Sequence, residues 1–291
     1  MKFLPAELAL QREDILGECP LWDDRGQALW WVDIRGPKLY RWTGKGDPQS
    51  WAFDQPVGSF CFAKDGTLLL AMKDAVRRFD PATGTLTEFA RPKSEPETNR
   101  FNDGRCDRAG RFWVGTMSDG PREPVGSLYR VDPSGKCARQ FGDVVVPNSL
   151  AWSPDNKTMY YADTHRHTIW SFEFDFASGK LGRKRVFADL SPHKGRPDGS
   201  AIDSTGCVWN AEYGSGQILR YTPAGLVDLV ITVPVMTTTC CAFGGPDLKT
   251  LYITTARQRL TPEDLAKQPL AGSVFAFRTE VAGLPEARFG A

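Results

Sequence analysis

The chain has 291 residues, with 36 Lys and Arg against 35 Asp and Glu, so its formal net charge is only +1. That balance excludes the clustered basic excess that nucleic acid or an anionic membrane surface selects. No apolar run approaches the ~18 residues of a membrane span, and the opening MKFLPAELALQRED lacks the apolar core and small-residue cleavage site of a secretory leader, so a cytoplasmic protein is predicted.

In chain order, the first predicted element is a strand in PAELALQRED. A unit then recurs: an apolar strand, an Asp-Gly-like turn, a Trp- or Tyr-bearing strand, a second turn and an aromatic strand. Copies begin at Glu18 (ECPLWDDRGQALWWVDI), Gly58 (GSFCFAKDGTLLLAM), Asn102 (NDGRCDRAGRFWVGTM), Asn148 (NSLAWSPDNKTMYYAD), Asp198 (DGSAIDSTGCVWNAEY) and Thr239 (TCCAFGGPDLKTLYITTAR). Their turns, DDRG, KDG, RAG, PDNK, STG and PDLK, supply the positive φ of tight hairpins. The flanking runs are rich in aromatic and branched residues with a period of two, a strand signature. A spacing of about 40–50 residues is that of a four-stranded propeller blade. One helix is predicted, in TPEDLAKQ within the last copy, with Thr as N-cap and acids in its first turn. The expected fold is therefore all-β: a six-bladed β-propeller of four-stranded blades around a central channel, one domain over residues 1–291, closed by the N-terminal strand as the outer strand of the last blade. A two-sheet sandwich does not explain the regular period.

In a propeller the innermost strand of each blade runs along the channel, so residues opening the copies converge at one mouth. These are Glu18, Gly58–Ser59, Asn102–Asp103, Asn148, Asp198 and Thr239–Cys240. Carboxylates and carboxamides at the head of strongly apolar strands are costly unless something satisfies them. A divalent cation does so, and oxygen donors without His or Cys suit Ca2+, Mg2+ or Mn2+; availability in a cytosol admits Zn2+ and Fe2+. Taken singly, such residues more often cap turns; as a matched set across blades they point to a cation.

Other candidates carry less. The seven cysteines are scattered with no CxxC pair, which reads as buried reduced thiols. His165 and His167 share a strand parity but fall in the turn after YYAD, away from the blade starts. Asp163 could line the channel or serve as a turn acid. GRKRV at 182–186 reads as a solvated face, and Trp30, Trp31, Trp113 and Trp209 as core. No GxSxG elbow is present, and neither Ser149 nor Ser200 has a neighbouring His for a nucleophilic triad.

The segments LGECPLWDDRGQALWWVDI, NRFNDGRCDRAGRFWVGTM, VPNSLAWSPDNKTMYYAD, RPDGSAIDSTGCVWNA and CCAFGGPDLKTLYITTAR, in this order, resemble the gluconolactonase, senescence-marker-protein (regucalcin) and luciferin-regenerating-enzyme family over nearly the whole chain. The closing TTARQRLTPEDLAKQPLAGSVFAF is similar to its bacterial sugar lactonases. The resemblance implies a metal-dependent hydrolase that opens a sugar-acid lactone. It implies one divalent metal ion on Glu18, Asn148 and Asp198, with Asp198 also the general base and Arg100 and Asn102 holding the substrate. It implies a small-molecule partner and leaves the oligomeric state open. One departure stands out: animal members carry acids directly after GTM, one contacting the sugar, whereas GTMSDG puts Asp119 and then Gly120 there. Two other readings remain at this point. A calcium-binding regulatory protein would bind calcium without lactone turnover. An organophosphate-ester hydrolase would need an open apolar pocket, which the Arg100/Asn102 pair disfavours.

Overall fold

The computed structural model describes residues 2–290 and is built almost wholly of strands. Six sheets form a ring. Their inner strands are Gly17–Asp23, Val57–Phe62, Asn99–Cys106, Pro147–Trp152, Arg196–Ile202 and Thr238–Gly244, within three residues of the heads of the six repeats. Each inner strand lies against the next, and that of blade six against that of blade one, so the ring is closed.

Alternation explains why the blades stack. Successive side chains of a strand point to opposite faces, and here both faces are covered by neighbouring blades. Trp30 thus packs in the cluster between blades one and two, and Trp31 in the cluster between blades six and one. Tyr160 and Tyr161 divide in the same way between blade five and blade three. Six apolar clusters result, one per interface. The four tryptophans expected in the core are all buried.

The N-terminus closes the ring as expected: Glu7–Leu10 pairs antiparallel with Val274–Arg278 at the outer edge of blade six. It also does more. Lys2–Pro5 adds a fifth strand to blade five, parallel to Val227–Thr232, so one segment ties two blades. The helix Pro262–Lys267 is capped by Thr261, whose side chain exchanges hydrogen bonds with Asp264. The turn chemistry differs in detail from the expectation. Gly66, Gly110 and Gly206 carry the positive φ in three blades and Asn156 in a fourth, but Gln27 and Leu248 carry it in the DDRG and PDLK turns. All seven cysteines are free, and six are buried, Cys137 being half-exposed. Among the described residues no helix is long and apolar enough to cross a membrane.

Candidate active site

Every inner strand breaks its pairing register near its head: after Glu18, Val57, Phe101, Asn148, Pro197 and Thr238. Such bulges re-aim a side chain. Here they coincide with Cys19 and Ser149 at φ of 48° and 66°, a left-handed backbone that β-structure otherwise avoids. Glu18, Asn102, Asn148 and Asp198 are turned to one mouth of the channel. Together with Arg100 they line a single cavity of about 310 Å3, a volume at the low end of those holding small molecules. All five residues expected from the sequence are therefore brought together.

The floor is acidic. Burial, followed by repulsion from Asp103, pushes the Glu18 carboxyl up to about 8. Asp198 is driven well above the ordinary carboxylate range by burial, then by Glu18 and Asp103. Asp103 itself does not line the cavity; it lies beneath, accepting a hydrogen bond from the Leu150 amide at 3.1 Å. The Asp198 Oδ1 is buried without a hydrogen-bond partner, which is costly unless something else meets it. Among the described residues no three His, Cys, Asp or Glu side chains form a cation site on their own. The expected set contains only two of those types, and its third member is an amide.

That amide is oriented by its neighbours. The Asn148 Nδ2 donates to Thr164 Oγ1 at 2.7 Å, and Thr164 spends its own proton on the Pro197 carbonyl at 2.8 Å. The hydroxyl must accept from Asn148, so the Asn148 oxygen faces the other way. Asn102 is fixed with equal strictness. Its Oδ1 accepts from Arg100 at 2.8 Å, and its Nδ2 donates to the Pro147 carbonyl at 2.9 Å and to Asn148 Oδ1 at 3.2 Å. Both Asn102 N–H groups are thus committed to protein, leaving one lone pair for anything else. Arg100 is buried, and desolvation, followed by repulsion from Arg35, lowers its guanidinium to about 10. It donates to Phe101 O, Asn102 Oδ1 and Asp119 Oδ1, which leaves Nη2 uncommitted. Two carboxylates and one oriented amide oxygen, all hard donors with one buried orphan, fit a divalent cation.

Several side chains stand elsewhere than the sequence suggested. His165 lines the cavity, because the turn Thr164–Arg166 folds over the mouth rather than away from it. Asp163 is a turn acid: it accepts from the amides of Val145 and Val146, on the loop entering its own blade. Asp119 is not in the cavity wall; it bridges Arg35 at 2.7 Å and Arg100 at 3.0 Å. Sequence reasoning missed Arg122, Lys194, Arg196, Tyr213, Gln258 and Arg259, which complete the wall. Their common signal is position: each lies at or just beyond the end of a second strand, or at the approach to or first residue of an inner one, where the chain faces this mouth. Ser149 and Ser200 bond each other and Asn210, and no His.

A family model described as SMP-30/Gluconolactonase/LRE-like region matches residues 16–257. The chain is 38% identical to the 6-deoxy-6-sulfogluconolactonase of Pseudomonas putida, over 96% of this chain and 97% of that one. It is 36% identical to regucalcin of Gallus gallus over 89% of each. The crystal structure of a calcium-binding protein, regucalcin, from Agrobacterium tumefaciens superposes with a TM-score of 0.95 at 32% identity, covering both chains fully. With the family model covering residues 16–257 and relatives of 36–38% identity aligned over nearly the whole chain, the chain belongs to the SMP-30/gluconolactonase/LRE-like family.

Proposed function

We propose that the protein hydrolyses the lactone of a sugar acid, with Glu18, Asn148 and Asp198 holding one divalent cation. The observation that carries this reading is the buried, partnerless Asp198 Oδ1 beside Glu18 and the oriented Asn148 oxygen in one small cavity. Family membership supports it, since relatives are named as lactonases. When bound, the cation supplies positive charge that draws electron density from a carbonyl oxygen.

The chain's own groups do the rest. Arg100 presents the free edge of its guanidinium fork to substrate oxygens, held in place by Asp119 and Asn102. Asp198 takes a proton from the attacking water as the water oxygen bonds to the carbonyl carbon. The ring C–O ester bond then breaks, and the proton passes to the departing ring oxygen, giving a hydroxy acid. Thr164 and Asn102 keep the Asn148 oxygen facing the floor throughout.

Demetallated protein titrated with Ca2+, Mg2+, Mn2+, Zn2+ and Fe2+ in a pH-stat, against pentono- and hexonolactones, tests the reading. Turnover should return only with a divalent cation. Asp198→Ala and Glu18→Ala should each lower it by at least about a hundredfold while the circular dichroism melt stays cooperative. Wild-type-like rates in either variant would remove those residues from the reaction. Tight calcium binding with no turnover of any lactone would favour a regulatory protein instead.

A further inference from the structure

The cavity is electrically divided. Its two carboxylates, Glu18 and Asp198, are on the floor, while Arg122, Lys194, Arg196 and Arg259 stand in its wall. They come from three parts of the chain: Arg122 from the loop leaving the second strand of blade three, Lys194 and Arg196 from the loop entering blade five and the first residue of its inner strand, and Arg259 from the insertion in blade six. Among the described residues none of the four is paired with a carboxylate. Most arginines elsewhere are matched, as in Arg111 with Asp107, Arg220 with Asp203 and Arg288 with Asp23, and those that are not, such as Arg41 and Arg108, are scattered singly over other parts of the ring rather than gathered in one cavity. At the rim the nearest acid, Asp119, is already held by Arg35 and Arg100. Arg122 donates only to the Ser118 carbonyl at 2.9 Å, and Arg196 approaches the neutral-leaning ring of His165 at 3.5 Å.

Like charges gathered without counter-charge repel one another: burial first, then repulsion from Arg259 and Arg35, lowers the Arg122 guanidinium below its ordinary range. Hydroxyl groups of a neutral sugar do not relieve that cost; an anion does. Guanidinium forks fit tetrahedral oxyanions in particular. The floor cation does not serve, since it adds positive charge.

We infer that the rim is a subsite for a terminal oxyanion, so that the substrate is a sugar lactone carrying a phosphate or sulfonate at the end away from its ring carbonyl. This rests on the lactonase reading for the reaction but adds the charge of the substrate. The cavity is a bipolar seat: the lactone ring sits over the acidic floor and Arg100, and the anion lies among Arg122, Arg196, Arg259 and Lys194.

The test compares kcat/KM of the metal-loaded protein on gluconolactone and on its 6-phosphate and 6-deoxy-6-sulfonate, at low and high salt. An anionic lactone should be preferred at least tenfold, and more at low ionic strength; which of the two wins identifies the oxyanion. Arg122→Gln and Arg259→Gln should each cut that preference at least tenfold. Arg259 is exposed on its loop, so its variant is not expected to fold poorly. Equal or better turnover of the neutral lactone by wild type, or a preference unmoved in both variants, overturns the inference while leaving the lactonase reading intact. Failure to open any lactone, neutral or charged, overturns both.

Discussion

At the axis, six strand heads crowd into a space that admits little more than backbone. A Cβ placed on Gly199 would lie 2.5 Å from the Cβ of Cys240 and 2.9 Å from its Cα. One on Gly58 would sit 2.9 Å from the Asn102 carbonyl oxygen. This is why the small residues Cys19, Ser149 and Gly199 follow Glu18, Asn148 and Asp198, and it gives Cys19 and Cys240 a packing role rather than a redox one. Gly199→Ala must push Asp198 or blade six aside. Since misplacement by about 1 Å can cost a hundredfold, kcat/KM on the best lactone should fall by about that factor. Metal affinity should fall with it, while the protein remains folded; unchanged kinetics would mean that the axis has room to spare.

At the level of the strand pair, the blades reuse two acidic devices. In one, an acid ending the second strand ties down the loop entering its own blade. Asp33 accepts from the amides of Ile15 and Leu16, Asp163 from Val145 and Val146, and Glu212 meets His193 at 2.8 Å. Each thereby orders the approach to Glu18, Asn148 or Asp198. In the other, an acid ending an inner strand caps the turn and receives an indole proton from the next strand: Asp107 from Trp113 at 2.8 Å and Asp203 from Trp209 at 3.0 Å. Asp107 also pairs with Arg111 at 2.7 Å and is fully buried. Asp107→Ala therefore strands an indole N–H and a guanidinium, at a cost of about 3–5 kcal/mol. Urea unfolding should show this as a lower midpoint at unchanged slope, and a loss under about 1 kcal/mol would show that water replaces the carboxylate.

Over the whole molecule, closure depends on both termini. The segment from Lys2 to Leu10 supplies the edge strands of blades five and six, covering edges that otherwise invite association. Removing residues 2–10 discards several backbone hydrogen bonds, each worth about 1 kcal/mol net. The melting temperature should drop by about 10 °C or more, with aggregation on heating; an unchanged melt would make this strand ornamental to stability. The C-terminal segment runs beneath the ring at the other end of the channel. Gly283 bridges to Asp203, Glu286 pairs with Arg105 at 3.1 Å, Arg288 with Asp23 and Asp24 at 2.6 Å, and Phe289 enters the core between blades two and three. The mouth bearing Glu18, Asn148 and Asp198 lies at the opposite end.

The repeat, its turns and the heads of the inner strands were readable from residue order, because strand alternation and hairpin formation are set by neighbours along the chain. Glu18, Asn148 and Asp198 could be picked out for the same reason: each occupies one position of a repeated unit. The positively charged rim, the placement of His165 and the strap beneath the ring could not. Arg35 meets Asp119 across 84 residues and Arg105 meets Glu286 across 181. Such contacts depend on how loops of irregular length settle once the ring has closed, and no local pattern encodes that distance.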